Sequence, residues 1–180
     1  MRILLHVLRK QLAIVMLLVM PSLTWADDID RFVGTFAGTA SIALAGESQP
    51  RDLSATIEIA RKGFNLTWTS VSYKAGSNPK TKTYTIEFVP SQRDNIYGSA
   101  MKTNMFGKQV PLDPLQGEPF VWSRFEGDTL SVFSLFINEH GEYEMQEYHR
   151  TLADGGLDLL FLRVANGVPQ KEITAFLARE

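Results

Sequence analysis

Charged side chains recur in phase with apolar ones along three stretches of the sequence, and burying such groups is costly unless something pairs with them. In 120–126, Arg124 shares alternate positions with Phe120 and Trp122; in 157–165, Arg163 shares them with Leu157, Leu159 and Phe161. In 142–152, Glu147 and His149 fall in phase with Tyr143 and Met145. An arginine among aromatics suits a ligand carboxylate, because its planar fork binds one bidentately. Adjacent strands bring Arg163 within reach of Glu147 or His149, so the same Arg163 also suits an internal salt bridge to Glu147, or a place at the barrel mouth. Glu147 with His149 has the makeup of an acid and base pair.

Other chemistries have little to rest on. The absence of Cys excludes disulfide scaffolds, Cys zinc sites, iron–sulfur clusters and thiol nucleophiles. There is no Gly-x-Ser-x-Gly elbow, phosphate loop or His-Glu-x-x-His motif. His140 sits in a Glu-His-Gly turn, nine positions from His149, so the two offer no local metal spacing; Glu142 and Glu144 read as a solvated face. The Asn65-Leu66-Thr67 sequon falls within a strand pattern. No metal and no cofactor is expected.

The elements that must position these residues are strands. Alternation of apolar and polar residues is clear in 35–45, 52–60, 64–73 and 81–89, with breaks at Lys62-Gly63 and Ala75-Gly76-Ser77-Asn78-Pro79. A strand around 95–106 precedes a long loop, Gly107 to Pro119, whose three prolines at 111, 114 and 119 cannot serve an interior ladder. Strands then follow at 120–126, 129–138, 142–152, 157–165 and 171–179. About ten strands in up-and-down order predict an all-β antiparallel barrel, which removes exposed edges by closing; a two-sheet sandwich is the weaker alternative. Phe36, Phe64, Trp68, Tyr84, Phe88 and Trp122 are the large residues expected inside. The expected ligand-binding set is therefore Phe64, Trp68, Tyr84, Phe88, Trp122, Arg124, Glu147, His149 and Arg163.

The N-terminus has the order of a secretory signal peptide. Arg2, Arg9 and Lys10 precede the apolar run Leu12 to Met20, and Thr24 and Ala26 supply small residues before a cut. Cleavage there leaves 27–180 as one barrel domain with no stable membrane span, periplasmic or secreted. It also removes three of 18 basic side chains and none of 20 acidic ones, so the net charge moves from −2 to −5. An acidic product with scattered basic residues makes nucleic acid an unsuitable partner.

The opening Phe32-Val33-Gly34-Thr35-Phe36-Ala37-Gly38 resembles the Gly-x-aromatic start of the calycin barrels, which include lipocalins, fatty-acid-binding proteins and bacterial lipocalin-like secreted proteins. The usual Trp two positions after the Gly is Phe36 here. The resemblance implies that a late Arg, matched by Arg179, packs across that aromatic. Nitrobindin-like relatives bind haem through a histidine on a late strand, but His149 reads as a hydrogen-bonded structural residue. Three functions follow as expectations: a carrier of a small hydrophobic or amphipathic ligand, a filled barrel serving as an envelope module, or a small isomerase-type enzyme.

Overall fold

A computed structural model describes residues 27–44, 47–73 and 76–180 of the chain. The expected signal peptide at 1–26 lies outside these, as do the side chains of Ile42 and Leu44.

After a short helix α1 (Asp27–Asp30), the chain forms β1 (Gly34–Leu44), β2 (Glu47–Ala60), β3 (Gly63–Ser72), β4 (Lys80–Pro90) and β5 (Ile96–Ser99). Two short strands, β6 (Lys102–Thr103) and β7 (Gln109–Val110), pair with each other, and a 3-10 turn spans Pro114–Gln116. Then come β8 (Phe120–Glu126), β9 (Thr129–Ile137), β10 (Tyr143–Ala153), β11 (Gly156–Ala165) and β12 (Val168–Arg179). Among the described residues, all strands but β6 and β7 close one antiparallel barrel of ten, in the order β1-β12-β11-β10-β9-β8-β5-β4-β3-β2. The strand expected around 95–106 is shorter than the alternation implied and ends at Ser99, beyond which the chain leaves the barrel wall.

Up-and-down order sends alternate turns to opposite ends. The turns after β2, β4, β8 and β10 lie at one end with α1 and Arg179, and this end is packed shut. Phe32, Phe36, Phe64, Phe88 and Phe125 are fully or nearly fully buried there with Ile57, Leu66, Leu130, Leu157 and Leu177. Phe64 stacks on Phe88 at 5.0 Å and meets Phe125 edge-on at 5.5 Å, while Phe32 closes over Phe125 at 5.4 Å. Offset and edge-on pairs of this kind add to what area burial contributes. The outer face of β1–β4 carries cross-strand threonine pairs instead, Thr35 with Thr56, Thr67 with Thr85 and Thr69 with Thr83. Threonine fits a half-exposed pleated surface.

The seam between β1 and β12 rests on two glycines and one arginine. The Arg179 guanidinium lies 4.5 Å over the Phe36 ring and donates to the backbone carbonyls of Val33 and Arg31. Gly34, at φ +145, lets that guanidinium come within 2.4 Å of where a Cβ would sit. Gly38 likewise admits the carbonyl of Phe176, 2.1 Å from an added Cβ. The late arginine therefore packs across the first-strand aromatic as expected.

Phe32 is buried completely, so Phe32→Ala should lower unfolding stability by about 3–5 kcal/mol. A urea titration followed by tyrosine and tryptophan emission checks this; a loss under about 1 kcal/mol would mean that α1 does not seal the barrel.

Candidate functional site

The other half of the barrel is not packed. Between the phenylalanine layer and the turns after β3, β9 and β11 lies a cavity of about 320 Å³. Its middle wall is apolar and aromatic, made by Leu53, Trp68, Tyr84, Leu159, Phe161 and Ile173. Trp68 stacks on Tyr84 at 5.3 Å, and Tyr148 packs against Phe161 at 4.7 Å. Tyr84 is half exposed because β4 pairs with β5 only over Phe88–Pro90, which leaves the upper part of β4 without a partner on that side.

At the inner end of the cavity sits Arg150, 2% exposed and the largest fully buried side chain among the described residues. Its guanidinium carbon lies 5.8 Å from the Trp68 ring and 5.6 Å from the Tyr148 ring. Two of its donors, Nε and Nη1, are buried without a hydrogen-bond acceptor, and no carboxylate pairs with it among the described residues. Burial pushes its pKa down to about 10, partly offset by Tyr148, so it stays cationic at neutral pH. Burial also pushes the Tyr148 hydroxyl up to about 12. Aromatic faces offset part of the cost of a desolvated cation, but they do not satisfy its N–H groups. This arrangement fits an oxyanion.

A chain of hydrogen bonds runs from Tyr148 to the mouth along the inner face of β10. The Tyr148 hydroxyl donates to Gln146 Oε1 at 3.0 Å, Gln146 Nε2 donates to Glu144 Oε1 at 2.6 Å, and Arg163 Nε donates to Glu144 Oε2 at 2.8 Å. Arg51, Lys82 and Lys171 complete the outer wall. Lys171 is held below its ordinary value by burial and by the neighbouring charges of Arg51 and Arg163.

Of the residues expected from sequence, Trp68, Tyr84 and Arg163 line this cavity. Phe64 and Phe88 face inward but belong to the packed end, with no exposed surface. Trp122, Arg124, Glu147 and His149 face outward, which corrects their expected inward placement. In β8 the inward residues are the buried Val121, Ser123 and Phe125, so Phe120, Trp122 and Arg124 point the other way. Trp122 stacks on Phe133 at 5.1 Å on the outer surface, and Arg124 pairs with Glu126. In β10 the buried Arg150 fixes the phase, turning Glu147 and His149 outward. One His149 ring nitrogen meets Ser131 Oγ at 2.8 Å, and the other meets Glu147 at 3.0 Å. Ser131 is buried and outside the cavity, so this line orients the imidazole on the outer wall. Arg163 consequently pairs with Glu144, not with Glu147 or His149.

Arg150, Tyr148, Arg51, Lys82 and Lys171 were not expected from sequence. The signal that finds Arg150 is the two-residue turn Asp154-Gly155, which sets Leu152 opposite Leu157 and Arg150 opposite Leu159. Directly opposed residues share a face, so Arg150 lies on the face of Leu157 and Leu159, while Asp158 opposite Thr151 marks the outer one.

None of residues 100–119 lines the cavity. Their 3-10 turn lies against β9, while Met105 and Phe106 at the tip of the β6–β7 hairpin are almost fully exposed.

An S-type phycobiliprotein lyase from Guillardia theta is similar to this chain at 11% sequence identity and a TM-score of 0.31, over 84% of this chain and 90% of that one. No family model and no curated protein matches the chain.

A buried cation with no carboxylate partner among the described residues is a standing cost to the fold. Arg150→Met should therefore raise stability by about 1–4 kcal/mol, as replacement of buried charges by packed apolar residues does elsewhere. Denaturant unfolding measures this, and a clear loss of stability would show that Arg150 has a satisfying partner.

Proposed function

We propose that this chain is an exported binding protein that holds a small anionic amphipathic molecule in the open half of its barrel. The observation that carries this reading is Arg150, a cation with buried, unpartnered donors at the inner end of an aromatic cavity. The cavity volume of 320 Å³ lies within the ordinary range for small-molecule sites, roughly 300–1,000 Å³. A filled barrel would leave no such space, and the acid and base pair of an enzyme reading lies outside it. The ligand's acid group seats on Arg150, and its apolar body lies against Trp68, Tyr84, Leu159 and Phe161. The open stretch of wall beside β4 and the mouth both give access. Export rests on the leader pattern at 1–26, which makes residues 27–180 the working barrel.

Trp25, Trp68 and Trp122 are the three tryptophans of the chain. In exported protein carrying Trp122→Phe, Trp68 alone then reports the cavity. Titration with decanoate should change its emission, and Arg150→Met should weaken binding at least about tenfold, the loss expected for a charge-assisted hydrogen bond. Arg124→Gln should leave binding within about twofold; equal weakening by both substitutions would remove Arg150 as the anchor. Affinity should hold unchanged through neutral pH, because burial lowers Arg150 only to about 10 and leaves it cationic there. Intact mass of the exported protein should begin at Asp27, and a mass that includes residues 1–26 would contradict cleavage.

A further inference from the structure

The mouth of the cavity repeats the problem that Arg150 poses at its inner end. On the inner face of the β11–β12 pair, Arg163 and Lys171 stand directly opposite each other, and like charges so placed repel. The register shifts immediately beyond them, with Val164 opposite Pro169, so Gln170 is an extra residue in β12. A bulge of this kind re-aims the side chains around it, and here it leaves Lys171 on the cavity wall beside Arg163. Arg51 approaches from β2 and depresses Lys171 together with Arg163. Only Arg163 has a carboxylate partner, Glu144; Arg51 and Lys171 have none among the described residues. Five cationic side chains thus line the cavity of a chain whose formal net charge is −2. Low-dielectric walls focus such a field on whatever enters.

The two cationic layers are separated by the aromatic belt. Arg150 lies opposite Leu159, and Arg163 follows four residues later on β11, about 13 Å along the strand. We infer that the ligand carries two acidic groups at opposite ends of an apolar body, one seated on Arg150 and the other held at the mouth by Arg51 and Lys171. This deepens the anion-binding reading and rests on it. The chemical class is an elongated diacid, with the belt of Trp68, Tyr84 and Phe161 against its middle.

The test compares decanoate with decanedioate, extended by the diacids of six, eight and twelve carbons, by calorimetry on the exported protein. A diacid near the matching length should bind at least about tenfold tighter than decanoate, with an optimum in the series. Arg51→Gln combined with Lys171→Gln should weaken that diacid at least about tenfold more than it weakens decanoate, which erases the diacid's advantage. Lys171→Gln alone serves as the milder variant, and circular dichroism checks that each is folded. If no diacid exceeds decanoate, the second subsite is overturned and the Arg150 reading stands. If a diacid binds tighter but ignores both mouth substitutions, the placement at Arg51 and Lys171 is overturned. If neither acid series binds at all, the anion-binding reading itself falls, and this inference with it.

Discussion

A guanidinium buried with no carboxylate partner among the described residues is the constraint on which the rest of the barrel turns. Desolvating Arg150 costs more than two aromatic faces return, and its Nε and Nη1 donors find no acceptor among those residues. The remainder of the fold is arranged to tolerate that cost. The phenylalanine layer and the Phe32 closure concentrate dense packing at one end, and Arg179 ties the first strand to the last beneath it. Stability gathered there leaves the other half free to hold a group that does not itself stabilise the fold.

The division into a packed half and an open half also explains why each inner face changes character along its length. In β3 the inward series runs from the fully buried Phe64 and Leu66 to the half-buried Trp68, and in β4 from Phe88 and Ile86 to Tyr84 and Lys82. Side chains become longer, more polar and more cationic toward the mouth.

Much of this architecture is legible in the sequence because period-two alternation is strong wherever one face is packed. The strands at 52–60, 64–69 and 81–89 have one clearly apolar face, and the inward placement of Phe64, Trp68, Tyr84 and Phe88 follows from it; in 157–165 Asp158 marks the outer face and places Arg163 inward. Alternation fails where both faces carry mixed residues. In β10 the outer face has Tyr143 and Met145, and the inner one has Tyr148 and Leu152, so neither face is marked by hydrophobicity alone. In β8 the larger aromatics lie outside, where Trp122 stacks on Phe133, while the smaller Val121 and Ser123 fit the crowded interior. Volume and register settle these two strands, and both quantities depend on neighbours distant in sequence. The cationic mouth is hidden for the same reason. Arg51, Lys82, Arg163 and Lys171 come from four different strands, and only closure of the sheet brings them together.

The incomplete pairing of β4 has a bearing on how the molecule behaves in company. Over Lys80–Ile86 that strand offers backbone N–H and C=O groups to no barrel neighbour on one side, the condition under which separate chains join edge to edge. Two lysines, Lys80 and Lys82, stand on this short stretch, and a second copy approaching in register would bring like charge against like. The unpaired stretch of β4 thereby carries its own charge against edge-to-edge joining, so the barrel keeps an open flank without offering a neutral template to a second chain.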